Sequence, residues 1–251
     1  MNGLALQDGK VDVVLPLGKS SHAADYGEAK FLLRSIERNC KNLGRLIVAS
    51  ITPPIWLRNA IIVPIEDDLP HNKDGNMITK VVKAIDICRC DRFCVCADDN
   101  CFINTIDLGR IPVIHGGGSK AWFEAQENKN NWHRRCLATY DFFRSWGIDE
   151  SISFDTTHAP QTFTKSKLWQ NMQSIPYREG NGLGIYSCLH LASGETHGQD
   201  WNGWIVRAQN AEEAKRPWNK VPMLSYTDEA WDGGISARLA AMFPTKSRYE
   251  K

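Results

Sequence analysis

Four short apolar runs separated by helical periodicity constrain most of what this chain can fold into. Val11-Asp12-Val13-Val14-Leu15-Pro16-Leu17 reads as a buried strand that ends at the turn Gly18-Lys19-Ser20-Ser21. From Gly27 to Asn39, Ala29, Phe31, Leu32, Leu33 and Ile36 recur with the spacing of an amphipathic helix. Residues 45–50 (RLIVAS) form a second strand, and Pro53-Pro54 bars its continuation. Residues 60–64 (AIIVP) form a third, leading into the acidic loop Glu66-Asp67-Asp68. Residues 76–87 predict a second helix with Ile78, Val81, Val82 and Ile85 inside. Phe93-Cys94-Val95-Cys96-Ala97 is a fourth strand and runs directly into Asp98-Asp99-Asn100. This order of strands and helices predicts an α/β fold with a mostly parallel central sheet and covering helices.

In an open sheet of this kind ligands bind at the carboxyl ends of the strands. The Gly18 turn and the Asp98-Asp99 pair both fall at such ends, so one cleft can hold both. The second half is less regular. Gly116-Gly117-Gly118 reads as a flexible loop with the character of a hinge or lid. Residues 131–146 read as a helix carrying His133, Arg134 and Arg135, and residues 151–154 as a short strand leading into Asp155. Residues 165–172 and the tail from 228 to 243 read as helical, the tail being interrupted near Gly233-Gly234.

A length of 251 residues with 42% hydrophobic content is enough to bury one large α/β core. The net charge of +1 excludes a generally basic nucleic-acid coat protein, though not a local basic patch. Five of the eight cysteines crowd between 88 and 101 without a paired C-x2-C spacing. They read as reduced core thiols and not as zinc ligands. There is no signal-peptide pattern and no run of about 18 apolar residues, so a soluble, cytoplasmic protein with no membrane partner is expected.

An apolar strand ending in adjacent carboxylates brings like charges together, and burial raises the cost. A divalent cation removes that cost: Mg²⁺ or Mn²⁺ is held by one or two carboxylates and by substrate phosphates. Asp98-Asp99-Asn100 therefore reads as a metal and diphosphate site, or else as a solvated turn. Asp155-x2-His158 offers a general base and an imidazole that ligates a metal or donates to phosphate; the alternative is a capped turn and a structural histidine. Arg34 and Lys80 sit on helices that come after strands, where a cation suits a diphosphate, unless they are ordinary surface charges. Gly18-Lys19-Ser20 lacks the full phosphate-loop pattern, and Gly180-x-Gly182-x-Gly184 opens no strand–helix–strand unit. Trp132-His133-Arg134-Arg135 is a basic-aromatic cluster suited to a phosphate backbone, or a solvated helix face.

The ordered set of segments resembles a known group. Residues 11–18, then Leu33-Arg34-Ser35-Ile36-Glu37, then Pro54-Ile55-Trp56-Leu57, look like the opening of Stealth-like sugar transferases and related phage glycosyltransferases. Asn76-x3-Lys80, Ala97-Asp98-Asp99-Asn100 and Phe154-Asp155-x2-His158-x-Pro160 with Lys165 resemble their internal motifs. Residues 243–250 (FPTKSRYE) look like their Phe-Pro-x-Lys-Ser-x-Phe-Glu ending.

The resemblance implies a single GT-A-like (Rossmann-like) domain over residues 1–251, with a nucleotide-sugar-binding half (1–110) and an acceptor-binding half (111–251). It implies a UDP-sugar donor and a divalent metal, Mn²⁺ or Mg²⁺. Carried over by residue, it places Pro16, Leu17, Gly18, Arg34, Asn76, Lys80, Asp98 and His158 at the nucleotide-sugar. Asp98, Asp99, Asn100 and His158 fall at the metal, and Asp155 and Asp99 in catalysis. The Thr-Trp-Val-Asp-Gly stretch of true Stealth proteins is Leu-Pro-Leu-Gly here, which favours plain glycosyl transfer over sugar-1-phosphate transfer. Relatives among phage enzymes make DNA carrying 5-hydroxymethylcytosine or another hydroxymethylated base the expected acceptor; a Stealth-type sugar-1-phosphate transferase or a glycosyltransferase acting on a surface polysaccharide is the alternative, and an inactive nucleotide- or glycan-binding module a third reading. Trp132, His133, Arg134 and Arg135 are the expected acceptor contacts, with Trp201, Trp204 and Trp218 as further stacking candidates.

Overall fold

A computed structural model of the chain describes residues 9–18, 27–116, 120–127, 129–147, 153–180, 182–195, 198–218 and 220–251. Strand β1, Val11–Pro16, is buried along its whole length. It pairs in parallel on one side with β2, Leu43–Ala49, and on the other with β4, Arg92–Val95. Strand β3, Ile61–Val63, extends the sheet beyond β2, again in parallel. The far edge is closed by β6, Gln161–Thr164, which runs antiparallel to β4. The order is β3-β2-β1-β4-β6, a mostly parallel sheet of the kind the first hundred residues predict.

Alternation along β1 shows why these residues form a strand covered on both faces. Val13 and Leu15 pack into one apolar layer with Leu32, Leu33 and Ile36 of helix α1, Gly27–Asn39. Val14 packs into the opposite layer with Ile78, Val81 and Ile85 of helix α2, Lys73–Ile85. Period 2 in the strand and period 3.6 in each helix meet in two separate cores. Asp12 breaks the apolar run but is no site: it accepts from the Arg45 and Arg89 amides at 2.7 and 2.8 Å and pairs with the Arg45 guanidinium at 3.1 Å. Burial alone pushes its carboxyl up; those donors hold it below the usual range. All eight cysteines are free thiols, seven of them buried.

Helix α2 begins earlier than the apolar periodicity announces. Asn72 caps it by accepting from the Gly75 amide at 2.7 Å, so Lys73 and Asp74 join the first turn.

In the second half, helix α3 spans Asn131–Ser145, α4 Lys165–Asn171 and α5 Ile185–Ser193. Helix α5 is buried almost throughout, so no amphipathic pattern marks it. A smaller sheet is built from β5, Asn100–Phe102, β7, Ile205–Ala208, and β8, Met223–Tyr226, in the order β7-β8-β5. Its outer face is covered by the tail: Asp228–Ala230, a wide turn over Trp231–Ile235, and α6, Ser236–Met242. The interruption falls at Gly234, whose φ of +124° only glycine adopts without strain. The predicted strand at 151–154 reduces, among the described residues, to one bridge between Ser153 and Gly116. Residues 19–21, Gly117, Gly118, Ser151 and Ile152 of the predicted turn, glycine loop and strand lie outside the described residues.

The chain ends as a clasp. Arg34 on α1 donates to both oxygens of the buried Glu250 at 2.8 and 2.7 Å and to the Phe243 carbonyl at 3.0 Å. Ser247 also donates to Glu250, and the Lys251 amide bonds the Trp56 carbonyl at 2.8 Å. No described helix is long and apolar enough to cross a membrane.

Candidate functional site

Because β1 and β4 are parallel neighbours, their carboxyl ends open at the same place. The chain leaves β1 through Gly18 and β4 through Ala97-Asp98-Asp99, and a cleft of about 380 Å³ lies between them. Pro16, Gly18, Asp98, Asp99, Asp155 and His158 all line it. A larger depression of about 680 Å³ lies elsewhere, among Lys41, Arg110 and Lys220; it touches no carboxyl end of the main sheet, and of the predicted residues it gathers only the stacking candidate Trp204. The strand-end cleft is the candidate site.

The aspartate loop is held from both sides. The Tyr226 amide of β8 donates to the Asp99 carbonyl at 3.2 Å. Asn100, fully buried, accepts from the Ala97 amide at 2.8 Å and donates to the His158 carbonyl at 2.9 Å. Both ends of its side-chain amide are thereby used. Asn100 ties the aspartate loop to the histidine loop, where the sequence suggested a metal ligand. His158 sits at φ +49°, a left-handed conformation rare for a residue with a Cβ. In that pose its Nε2 lies 2.9 Å from both Asp99 carboxylate oxygens. The Asp99 carboxylate raises the affinity of the imidazole for a proton.

The cleft is acidic at its base. Burial, with Asp99 beside it, pushes Asp98 up to about 6. Glu28, in the first turn of α1, is only 4% exposed, and its Oε1 has no hydrogen-bond partner among the described residues. Burial and then the charges of Asp98, Asp99, Asp228 and Asp232 push Glu28 up to about 8. Asp155 is buried at the start of α5, accepting from the Tyr186 amide at 2.8 Å and from the Ser187 hydroxyl. A carboxylate there complements the exposed amides of a helix N-terminus. Burial nevertheless pushes Asp155 up to about 6.

Of the cations at the cleft, Lys73 and Arg207 were not singled out from the sequence, whereas Arg135 was expected at the acceptor. Lys73, exposed on the first turn of α2, lines the cleft, as does Arg135, whose Nε is 3.3 Å from Asp74. Arg207 of β7 donates to the Thr156 carbonyl at 2.6 Å and bears on Asp99 electrostatically. The cations picked from sequence for the nucleotide-sugar lie elsewhere. Arg34 is taken by the Glu250 clasp. Lys80 is 1% exposed, donating to the Leu17 carbonyl at 2.7 Å and to Asp67 at 2.5 Å, so it pins the end of β1 from below. Asn76 exchanges hydrogen bonds with the Leu69 backbone. Arg34, Asn76, Lys80 and the buried Leu17 do not line the cleft. Of the acceptor cluster, Trp132 and Arg135 line it, His133 caps α3 together with Asn130, and Arg134 is exposed. Trp218 is buried beneath the Arg238 guanidinium, 3.4 Å from its ring centre.

Glu28 and Lys73 have a faint sequence signal, since each opens a helix that comes after a strand of the parallel sheet. Arg207, Tyr186 and Asp228 have none: their approach to Asp99 depends on how the second half folds back over the first.

No protein-family model matches the chain, and no curated protein sequence matches it significantly. The fold is similar to that in the crystal structure of the galactosyltransferase LgtC in complex with donor and acceptor sugar analogs, with a TM-score of 0.50. The match covers 95% of this chain and 98% of that one at 13% identity. At that identity the likeness establishes the architecture: a GT-A-like, Rossmann-like α/β fold.

Proposed function

We propose that the chain is a metal-dependent glycosyltransferase that moves a sugar from a UDP-sugar to an acceptor hydroxyl. The observation that carries this reading is the placement of Asp98 and Asp99 at the carboxyl end of β4, in a cleft whose carboxylates repel one another. The galactosyltransferase-like fold supports the same reading.

The residues fit a cation shared with substrate. Their donor set is all oxygen, suited to Mg²⁺ or Mn²⁺. Among the described residues no three potential ligands converge tightly enough to hold an ion alone. Two carboxylates completed by diphosphate oxygens is the arrangement such an ion accepts. Asp98 and Asp99 would hold it; when bound, it neutralises charge on the leaving diphosphate. The chain itself supplies the rest. His158, fixed by Asp99, presents its imidazole to the diphosphate. Lys73 and the first turn of α2 add positive potential on the same side.

On the acceptor side, Asp155 serves as the base. Its two oxygens offer about four lone-pair positions, of which the Tyr186 amide and the Ser187 amide and hydroxyl take three. Raised to about 6, it can take a hydroxyl proton near neutral pH. In the transfer, the bond from sugar C1 to the diphosphate breaks with its electron pair leaving on UDP. The bond from C1 to the acceptor oxygen forms, and the acceptor proton passes to Asp155.

The test is UDP release from UDP-glucose and UDP-galactose with Mn²⁺, with and without acceptor. Wild type should release UDP slowly by hydrolysis, and Asp99→Ala should lower that rate by about 100-fold or more. Equal rates in the two proteins would refute the reading.

A further inference from the structure

Beside the cleft lies a second hollow of about 560 Å³ that shares Trp132 with it. We infer that this groove binds the acceptor, and that the acceptor presents a neutral saccharide ring. The inference rests on the cleft being the donor side.

Three indoles wall the groove: Trp122, Trp132 and Trp201. Trp122 is 47% exposed, a large apolar surface to leave in water. Its ring meets Phe123 edge-on at 4.8 Å, so its position is set by packing and not by a ligand. Trp132 is likewise fixed, edge-on to Phe123 at 5.3 Å. Trp201 is held through its backbone, its amide donating to the His115 carbonyl at 3.0 Å. Rigid indoles facing a common space suit a flat ligand with one apolar face. The C–H face of a pyranose is such a surface, and so is a nucleobase.

The polar groups decide between the two. Gln209, Glu213 and Arg216 line the same groove. Glu213 accepts from the Gln209 amide at 2.8 Å and lies 3.6 Å from Arg216. This is a mixed donor and acceptor set around one carboxylate, matched to sugar hydroxyls. A nucleic acid would need cations along its phosphates. Of the two guanidiniums here, Arg207 is engaged on the Thr156 carbonyl, and Arg216, largely exposed, stands 3.6 Å from the Glu213 carboxylate. On α3, Arg135 is paired to Asp74 and His133 serves the cap, which leaves the exposed Arg134 as the one further cation of the Trp132–Arg135 cluster. No basic stripe is assembled among the described residues of this face. The groove volume also lies within the range of small-ligand sites.

Groove and cleft meet at one loop. Asp155 and His158 line the cleft, and Thr156 and Thr157 line the groove. A saccharide stacked on the indoles would therefore lie one loop's width from Asp155.

The experiment measures binding and turnover separately. Saturation-transfer NMR is recorded on methyl glucoside, methyl galactoside, lactose, cellobiose and maltose, with UDP and the diamagnetic Mg²⁺ present. At least one should bind, with Trp201→Ala and Trp122→Ala weakening it by about tenfold and Trp122→Phe restoring most of the loss. Trp146→Ala, which removes a 44%-exposed indole outside the groove, should leave binding unchanged. Transfer is then assayed with the same sugars and with 5-hydroxymethylcytosine DNA. Absence of saccharide binding, or binding indifferent to Trp122 and Trp201, overturns the inference, as does transfer to DNA alone. Wild-type donor hydrolysis, scored independently, reports on the donor reading. If it persists while no saccharide binds, the groove assignment fails and the donor reading stands.

Discussion

Replacing Glu28 by glutamine should stabilise the metal-free protein, and by an amount that grows with pH. Glu28 is 4% exposed and has one carboxylate oxygen without a partner among the described residues. Burial and the surrounding aspartates raise its pKa from 4.5 to about 8. An acid whose folded pKa is raised contributes fully to stability below its unfolded pKa. That contribution is lost as pH climbs toward the folded value. Here the loss begins near pH 4.5 and is complete near pH 8. At about 1.4 kcal/mol per unit, it amounts to on the order of 5 kcal/mol. For a chain of this size that is a difference in Tm on the order of 10 °C. The assay is thermal unfolding of wild type and Glu28→Gln in EDTA, from pH 4 to 9. The two should nearly coincide at pH 4, diverge steadily, and run parallel above pH 8, with the variant higher. His158 and Asp155 titrate in both proteins, so the difference reports Glu28 together with its coupling to Asp98. A constant offset across the whole range, or a variant less stable at pH 8, would refute the reasoning.

Three further outcomes are expected. Arg34→Ala should destabilise the fold by about 3 kcal/mol in chemical denaturation, because it leaves Glu250 buried without its cation, while UDP affinity stays within twofold. A large affinity loss would instead put Arg34 at the donor. Lys73→Ala should raise the KM for the UDP-sugar by about tenfold at unchanged stability, whereas Lys80→Met should lower the unfolding midpoint first, as Lys80 is buried under β1. Gly184→Ala should destabilise by about 1–3 kcal/mol and lower turnover, since a Cβ there collides with the Asp155 carboxylate. A Gly184→Ala enzyme with wild-type stability would show that Asp155 has room to move.

The parallel part of the main sheet was legible because its central strands are buried on both faces and its helices on one. Val13, Val14 and Leu15 announce the strand, and Leu32, Leu33 and Ile36 the helix, from local periodicity alone. The strand-end position of Asp98-Asp99 came from the same reading, because ligand sites in such sheets sit at the carboxyl ends of strands. Helix α5 stayed illegible: buried all round, it has no polar face to set a period. Strands β7 and β8 are four residues each, too short for alternation to stand out.

Position along the chain could not say which way a charge points. Arg34 and Lys80 each come after a strand in sequence, yet each meets an acidic partner: Glu250 from the far end of the described chain, and Asp67 from the loop before the helix of Lys80. Lys73 and Glu28 face the cleft because they occupy first turns of helices that begin there. The sequence by itself determined the four parallel strands of the sheet, its two covering helices and the end at which a ligand enters, but not the antiparallel edge Gln161–Thr164. Only the tertiary structure decided which charges reach that end. Burial makes a lone charge costly, so pairing is settled by whatever opposite charge the folded chain brings within reach.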